Sequence, residues 1–422
     1  MVRFMGSVVK LDRSAPGKAG AKRTRRTRAS KTALVLGGGG FTGGVYEIGA
    51  LRALDLLSVN RTVNQFDVYV GTSAGAFVAA LAANGITPEE MMRVVNQQGP
   101  APFRDIGLGQ VLRPNLGEYV RKGVALPLKA VRVLRELAPQ FGAVSVMDLA
   151  LGLAEGLPSG LYTGSGIEAY LQSVLSEPGR TDDFRLLGRA LYLAAADLDT
   201  GERVVFGAEG WDDVPISTAV RASTALPMLY KPVRLRDREL IDAGIVSTTN
   251  LDLAVEAGAR LIIVVNPLVP YVNDGAGLPE GARRRHVSDM GLPQIGYQAF
   301  KMMAYQRLHE LANQWEERYP GVDIVLIEPE PDDELMFQTS VMNFAKRIDI
   351  ARHGFQSVTL RLAEDYEDFR AIAERHGIQI SADRVRSVVK HFATAEQEGT
   401  RAWRKILTQT TGTLLRQSGT SS

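Results

Sequence analysis

The segment Phe66 to Leu81, FDVYVGTSAGAFVAAL, constrains this chain more than any other. Its opening apolar run, rich in Val and Tyr, predicts a buried strand. Its end, Ala76 to Ala83, is small and apolar and predicts a packed helix. Between them lies Gly71-Thr72-Ser73-Ala74-Gly75, a G-x-S-x-G. A serine carried on so sharp a strand-to-helix turn sits in strained backbone, and Gly71 and Gly75 lack the Cβ atoms that would keep the two elements apart. Ser73 then stands at a helix N-terminus, where unspent N–H groups favour developing negative charge. Gly/Ser-rich turns occur throughout α/β proteins. The strand before and the helix after are what point to a nucleophile.

A second glycine turn precedes this one. Ala33-Leu34-Val35-Leu36 opens directly into Gly37–Gly44 and then into the periodic segment VYEIGALRALDLL, so strand, glycine loop and helix follow in order. The loop holds G-x-G-x-x-G at Gly38, Gly40 and Gly43. Such a loop can seat a dinucleotide pyrophosphate, or it can offer adjacent backbone N–H groups as an oxyanion hole for acyl transfer. No Lys-Ser/Thr ending follows, which counts against a P-loop. A nucleotide site also wants an acidic residue about 20 residues on, at a second strand end. The nearest candidate, Asp55, falls inside the first helix. Ser73, at the end of the next strand, favours the oxyanion reading, because neighbouring parallel strands open their C-terminal ends onto one crevice.

The 422 residues, 45% hydrophobic and 23% charged, suit one large domain with additions, or two domains. The absence of cysteine excludes disulfides, thiolate zinc sites and a Cys nucleophile. The five histidines, His286, His309, His353, His376 and His391, all lie in the last third of the chain. A triad in the order Ser…Asp…His would draw on Ser73, Asp242 and one of them, most naturally His286. That residue adjoins Arg283-Arg284-Arg285 in a loop, and the other four fall in helical, charged surroundings where surface exposure is expected. No H-x-x-x-H or His/Asp cluster suggests a metal. The economical alternative is a two-residue site. Asp242 ends the apolar run Leu240-Ile241 and is followed by the tight exit Ala243-Gly244; it would itself take the Ser73 proton. An exposed Asp titrates near 3.9, so this requires burial and strong oxyanion stabilisation.

Elsewhere, residues 190–196 and 203–206 read as strands joined by a turn that Asp197 and Asp199 cap. Ile216 to Leu226 reads as a helix stopped by Pro227, and a helix at 250–257 with a strand at 261–266 as another β-α-β unit. In residues 86–185, Ala125–Phe141 is an amphipathic helix with Lys129, Arg132 and Arg135 on its polar side, and Met147–Leu157 is a second apolar segment. Gly164-Ser165-Gly166 opens a third helix. These pack on the sheet, cap an acyl groove or rest on lipid. Beyond 275, helical patterns at 294–319 and 341–376 flank a strand at 323–327, and 408–422 is polar and frayed.

Charge is unevenly spread. Residues 1–31 hold ten Lys/Arg and one Asp, so +9, which leaves −7 for the rest of a chain whose formal net charge is +2. Residues 1–32 read as a disordered basic tail, either a solvated extension or a segment drawn to anionic lipid or nucleic acid. Residues 1–20 lack the apolar core of a signal peptide, and no stretch approaches the roughly 18 apolar residues of a membrane span. A cytoplasmic protein that contacts a membrane surface peripherally is the expectation.

Together these elements resemble the patatin-like phospholipase family. The residues that carry the resemblance are the glycine loop Gly38–Gly43, the elbow Gly71–Gly75 and Asp242-Ala243-Gly244. The linking text VYEIGALRAL, RASTALPMLYKPV and DLAVEAGARLIIVVNP shares it, over about residues 33–270. The resemblance implies a three-layer α/β/α fold with a mostly parallel sheet: an acyl hydrolase domain over 33–275, followed by a mainly helical region over 276–422. It implies Ser73 as nucleophile, Asp242 as general base, amides around Gly39 and Gly40 as oxyanion donors, a lipid acyl ester as substrate, and no cofactor or nucleic acid. Two departures stand out. Many members carry Arg or Lys just before the last loop glycine, where Thr42 stands here, and the aspartate motif reads D-A-G rather than D-G-G or D-G-A. A catalytically silent member that keeps the fold is the rival these departures leave.

Overall fold

The computed structural model describes residues 30–96, 106–122, 157–273, 286–331, 333, 335–336 and 345–395. The basic tail to residue 29, the helix expected at 125–141, most of the apolar segment from 147, the Arg283–Arg285 loop and the polar end at 408–422 lie outside these residues.

Alternating faces build the core. β1 (Thr32–Leu36) turns Leu34 and Leu36 to one face and Ala33 and Val35 to the other, and all four are buried. β2 (Val68–Thr72) and β9 (Leu261–Val265) are likewise buried along their whole length. Strands covered on both faces read as continuous apolar runs, as these do. Helices α1 (Gly40–Leu57) and α2 (Ala74–Ala83) pack on one face. The other face is covered by α6 (Asp252–Glu256) and by the Leu308–Ala312 end of α7 (Leu292–Ala312). The remaining labelled helices are α3 (Pro88–Asn96), α4 (Ser165–Leu175) and α5 (Ile216–Ser223), then α8 (Arg347–Glu364), α9 (Tyr366–Arg375) and α10 (Ala382–Ala395).

The remaining strands are β3 (Gly160–Tyr162), β4 (Ala190–Asp197), β5 (Arg203–Phe206), β6 (Met228–Tyr230), β7 (Val233–Leu235), β8 (Arg238–Asp242) and β10 (Asp323–Ile327). The main sheet runs β10-β9-β1-β2-β4-β8-β7, with β5 also on β4; β3 and β6 form a small sheet apart. Pairing from β10 through β4 is parallel, and β5 and β8 join β4 antiparallel. The fold is thus a three-layer α/β/α sandwich on a mostly parallel sheet.

Two local readings change. The unit expected from β8 through α6 to β9 is not a parallel crossover, because β8 runs against β4 while β9 runs with β1. The long C-terminal patterns are broken: α7 ends at Ala312 before a single turn at Trp315–Arg318. α8 stops at Glu364, and Asp365 begins a new helix whose first turn carries Glu367 and Asp368, favourable charges at a helix N-terminus. The expected strand at 323–327 is present as the edge of the central sheet, so residues on both sides of position 275 share one sheet. Among the described residues no helix is long and apolar enough to cross a membrane.

Candidate active site

The Gly71–Gly75 turn is as strained as its glycines suggest. Ser73 has φ 55° and ψ −124°, a conformation that costs a non-glycine residue about 1–3 kcal/mol. A Cβ on Gly71 would lie 2.5 Å from Ala76 Cα, and one on Gly75 would lie 2.3 Å from the Leu36 carbonyl oxygen. Gly75 therefore lets α2 start hard against the end of β1, and its N–H donates to the Gly37 carbonyl at 3.1 Å. The Ser73 N–H donates to Ser223 Oγ at 2.9 Å, a fully buried hydroxyl at the end of α5.

The glycine loop spends its amides selectively. Gly37 N–H donates to Val265 O and Gly38 N–H to Thr248 O, whereas no acceptor among the described residues takes the N–H of Gly39 or Gly40. Gly40 has φ 62°, and a Cβ on Gly39 would strike Pro267 at 2.8 Å, so the loop is pressed between α1 and the second residue after β9. Gly38 lies against Ser73, its built Cβ 3.4 Å from that of the serine. Gly43 closes the first turn of α1 by donating to Gly39 O at 3.0 Å. Thr42, where a cation was looked for, is buried, with its hydroxyl 3.5 Å from Gly39 O.

Asp242 reaches the serine through register. β8 overlaps only the C-terminal half of β4, so Asp242 pairs opposite Ala195, one residue beyond the Thr72–Ala194 pair of β2 and β4. An antiparallel strand that stops at this level delivers its last side chain beside Ser73. The Ser73 hydroxyl and the Asp242 carboxylate line the same cleft, close enough for the hydroxyl to lower the pKa of the acid, and Asp242 Oδ1 accepts the Gly244 N–H at 2.8 Å. Asp242 is 2% exposed. Burial pushes its pKa up to about 6, against the lowering effect of the Ser73 hydroxyl and the Gly244 N–H. Ala243 is fully buried, and a Cβ on Gly244 would meet Asp242 Oδ1 at 3.1 Å.

Gly38, Gly39, Gly40, Ser73, Asp242 and Gly244 line one cleft of about 150 Å³. Its walls are apolar, with Val45 and Ile48 from α1, Phe77 and Leu81 from α2, Val94 from α3 and Tyr170 from α4. Arg347, at the start of α8, also lines it. No histidine does so among the described residues. Three of the four expected on the surface are instead half-buried partners of carboxylates: His309 of Glu328 at 2.8 Å, His353 of Asp333 at 2.5 Å and His376 of Asp323 at 2.7 Å. They tie α7, α8 and the end of α9 to the ends of β10 and the loop beyond it. His286 is exposed beside Asp289. Asp55 caps a turn by accepting the Val63 N–H, and Asp197 accepts the Asp199 N–H, both structural duties.

Two residues of the site carry no signal in the sequence. Ser223 lies inside a helix and looks like any small polar residue. Asn250, with φ 48°, donates to Thr72 Oγ1 at 2.9 Å and to Ser247 O at 3.0 Å, and so braces the elbow against the loop after Asp242. Arg203 holds Asn250 Oδ1 in turn. An Asn just ahead of a helix looks like a cap.

A family model described as patatin-like phospholipase matches residues 34–255. Among curated proteins, the uncharacterized protein YqhO of Bacillus subtilis (strain 168) is 23% identical over 239 residues, 53% of this chain and 70% of that protein. Among solved structures, VipD from Legionella pneumophila has a TM-score of 0.35 at 14% identity, over 79% of this chain and 67% of that one. Human GIVD cytosolic phospholipase A2, in complex with methyl gamma-linolenyl fluorophosphonate, has a TM-score of 0.34 at 12% identity, over 84% of this chain and 61% of that one.

Proposed function

The chain belongs to the patatin-like phospholipase family, and we propose that it hydrolyses the acyl esters of lipids through Ser73 and Asp242. The observation that carries this reading is the juxtaposition of the two side chains. A serine on a strained elbow and a buried carboxylate whose pKa it lowers line one apolar cleft. A carboxylate held near pH 6 is a far better proton acceptor than an exposed one, yet it remains ionised at neutral pH.

Ser73 Oγ attacks the acyl carbonyl and its proton passes to Asp242. The oxyanion of the tetrahedral intermediate is held by the unspent N–H groups of Gly39 and Gly40, each such donor being worth about 3–4 kcal/mol in comparable sites. Collapse of the intermediate breaks the ester C–O bond, and the departing alkoxide takes the proton from Asp242. Water, deprotonated by Asp242, then attacks the acyl-serine; the acyl C–Oγ bond breaks, the carboxylic acid leaves, and Ser73 Oγ takes the proton back from Asp242. The apolar walls suit an acyl chain. Phospholipid, lysophospholipid and acylglycerol are the substrate classes this chemistry serves, at a membrane surface that the protein meets peripherally.

The test is a panel of acyl esters assayed with purified wild-type, Ser73→Ala and Asp242→Asn proteins. We expect hydrolysis by the wild type, no turnover by Ser73→Ala and a loss of at least about a thousand-fold in Asp242→Asn, since an amide cannot accept the proton. Near-wild-type rates in a folded Ser73→Ala protein would refute the serine mechanism.

A further inference from the structure

The apolar cleft has a direction. On α1 it is lined by Phe41, Val45 and Ile48, and on α2 by Ser73, Phe77 and Leu81. Steps of three and four residues mark one face of each helix. α1 starts at the glycine loop and α2 at the elbow, and they meet where a Cβ on Gly44 would stand 3.3 Å from that of Ala74. Both Gly44 and Ala74 also line the cleft, so it is a groove laid over the line where the two helices touch, leading away from Ser73. It stops at Ile48 and Leu81. The next positions along those faces, Arg52 and Gly85, do not line it. α3 meets the groove at this level. Its Met91 faces the groove, and Glu89, two residues earlier, pairs with Arg52. Ile48, Leu81 and Met91 are all buried, and no charged residue of α1, α2 or α3 lines the groove. The far end is thus an apolar stop backed by an ion pair.

The helices set the length of this groove. Leu81 stands eight residues after Ser73, which is about 12 Å at a rise of ~1.5 Å per residue. A fully extended chain covers roughly 3.5 Å in three bonds, so about ten bonds carry its end from Ser73 to Leu81. We propose that the groove measures the acyl chain and selects chains of about ten carbons, with Leu81 and Met91 as the stop. Each methylene taken from water up to that point strengthens binding roughly four-fold. Beyond it a chain must displace two buried side chains and reach the Arg52–Glu89 pair, or leave its end in water. Midway, Phe77 is held in the wall by stacking on Tyr170 of α4, with ring centroids 6.0 Å apart. The inference rests on the ester-hydrolase reading above and adds to it the length of the acyl group.

The test is a series of p-nitrophenyl esters with saturated acyl chains from butanoyl to hexadecanoyl, assayed with wild-type, Leu81→Ala, Met91→Ala and Leu81→Phe proteins. In the wild type kcat/KM should climb roughly four-fold per methylene to about decanoyl and then level or fall. Leu81→Ala and Met91→Ala should move the optimum to chains longer by about two carbons or more, and Leu81→Phe should move it to shorter ones. The readout is the ratio between chain lengths within one protein, which a partly unfolded variant leaves unaltered. An optimum that stays put in all three variants, or a wild-type rate that climbs through hexadecanoyl, overturns the proposal while leaving the serine hydrolase intact. A binding arm titrates Ser73→Ala protein with the saturated fatty acid methyl esters of the same lengths. Affinity that rises to about decanoyl and breaks there, with the break moved to longer chains when Leu81→Ala is added, supports the stop. Affinity without a break, or no binding at any length, overturns it. Because this arm needs no turnover, it reads the groove even if no ester is hydrolysed, which would be the failure of the hydrolase reading alone.

Discussion

In the proposed mechanism Asp242 must lose its own proton before it can take one from Ser73, and its pKa near 6 sets the pH at which that happens. We expect kcat/KM to rise with pH through about 6 and then level off. A limb there is easily mistaken for a histidine. His309, His353 and His376 bond to carboxylates on and beyond β10, away from the cleft. Replacing each by Ala should lower stability and leave the limb in place; a limb that moved with one of them would return the site to a triad. The same burial bears on stability. A carboxyl whose folded pKa lies above its unfolded value of 3.8 adds stability below that value and loses it as pH rises through about 6. Asp242→Asn keeps an acceptor for the Gly244 N–H and removes the buried charge. It should be more stable than wild type by about 3 kcal/mol at pH 8, and most of the difference should be gone near pH 4. Denaturant titrations at the two pH values check this, and a variant equally destabilised at both contradicts it.

Among the elements, the elbow was legible and the arrival of Asp242 was not. The role of Gly71 follows from local crowding against Ala76, which a five-residue pattern already contains, and that of Gly75 from the neighbouring end of β1 that any such elbow abuts. The position of Asp242 depends on β8 entering antiparallel and stopping level with Ala195, a matter of register between distant strands that no local pattern encodes. Ser223 and Asn250 were missed for the same reason, since each acts on β2 or its turn from about 150 or more residues away in sequence. Gly75→Ala measures how far the elbow depends on close approach. Its Cβ would sit 2.3 Å from Leu36 O, so backbone must move, and we expect a loss of about 3 kcal/mol together with most of the activity. Gly188→Ala, where a Cβ meets nothing within 4 Å, should stay within about 0.5 kcal/mol of wild type. Equal effects at the two positions would remove the steric account of the motif.

For the molecule as a whole, the chain to about residue 270 could be read by resemblance and the remainder could not. The remainder is nonetheless built into the core. β10 completes the parallel sheet beside β9, and α8 crosses α1 where two glycines meet each other's backbone. A Cβ on Gly49 would lie 2.3 Å from Ala351 O, and one on Gly354 would lie 2.5 Å from Tyr46 O. A fit of that kind, between segments some three hundred residues apart, leaves no pattern in either segment. A chain truncated after residue 275 should therefore lose cooperative unfolding and activity together; a folded, active truncation would show the later elements to be accessory. The central claim, that Ser73 is the nucleophile activated by Asp242, is tested most directly by labelling the full-length protein with a fluorophosphonate at pH 8 and mapping the adduct by peptide mass spectrometry. The account predicts a single adduct on Ser73, absent in Ser73→Ala, slowed by orders of magnitude in Asp242→Asn and retained in every single His→Ala variant. An adduct on another serine, or no adduct on the folded wild-type protein, would contradict it.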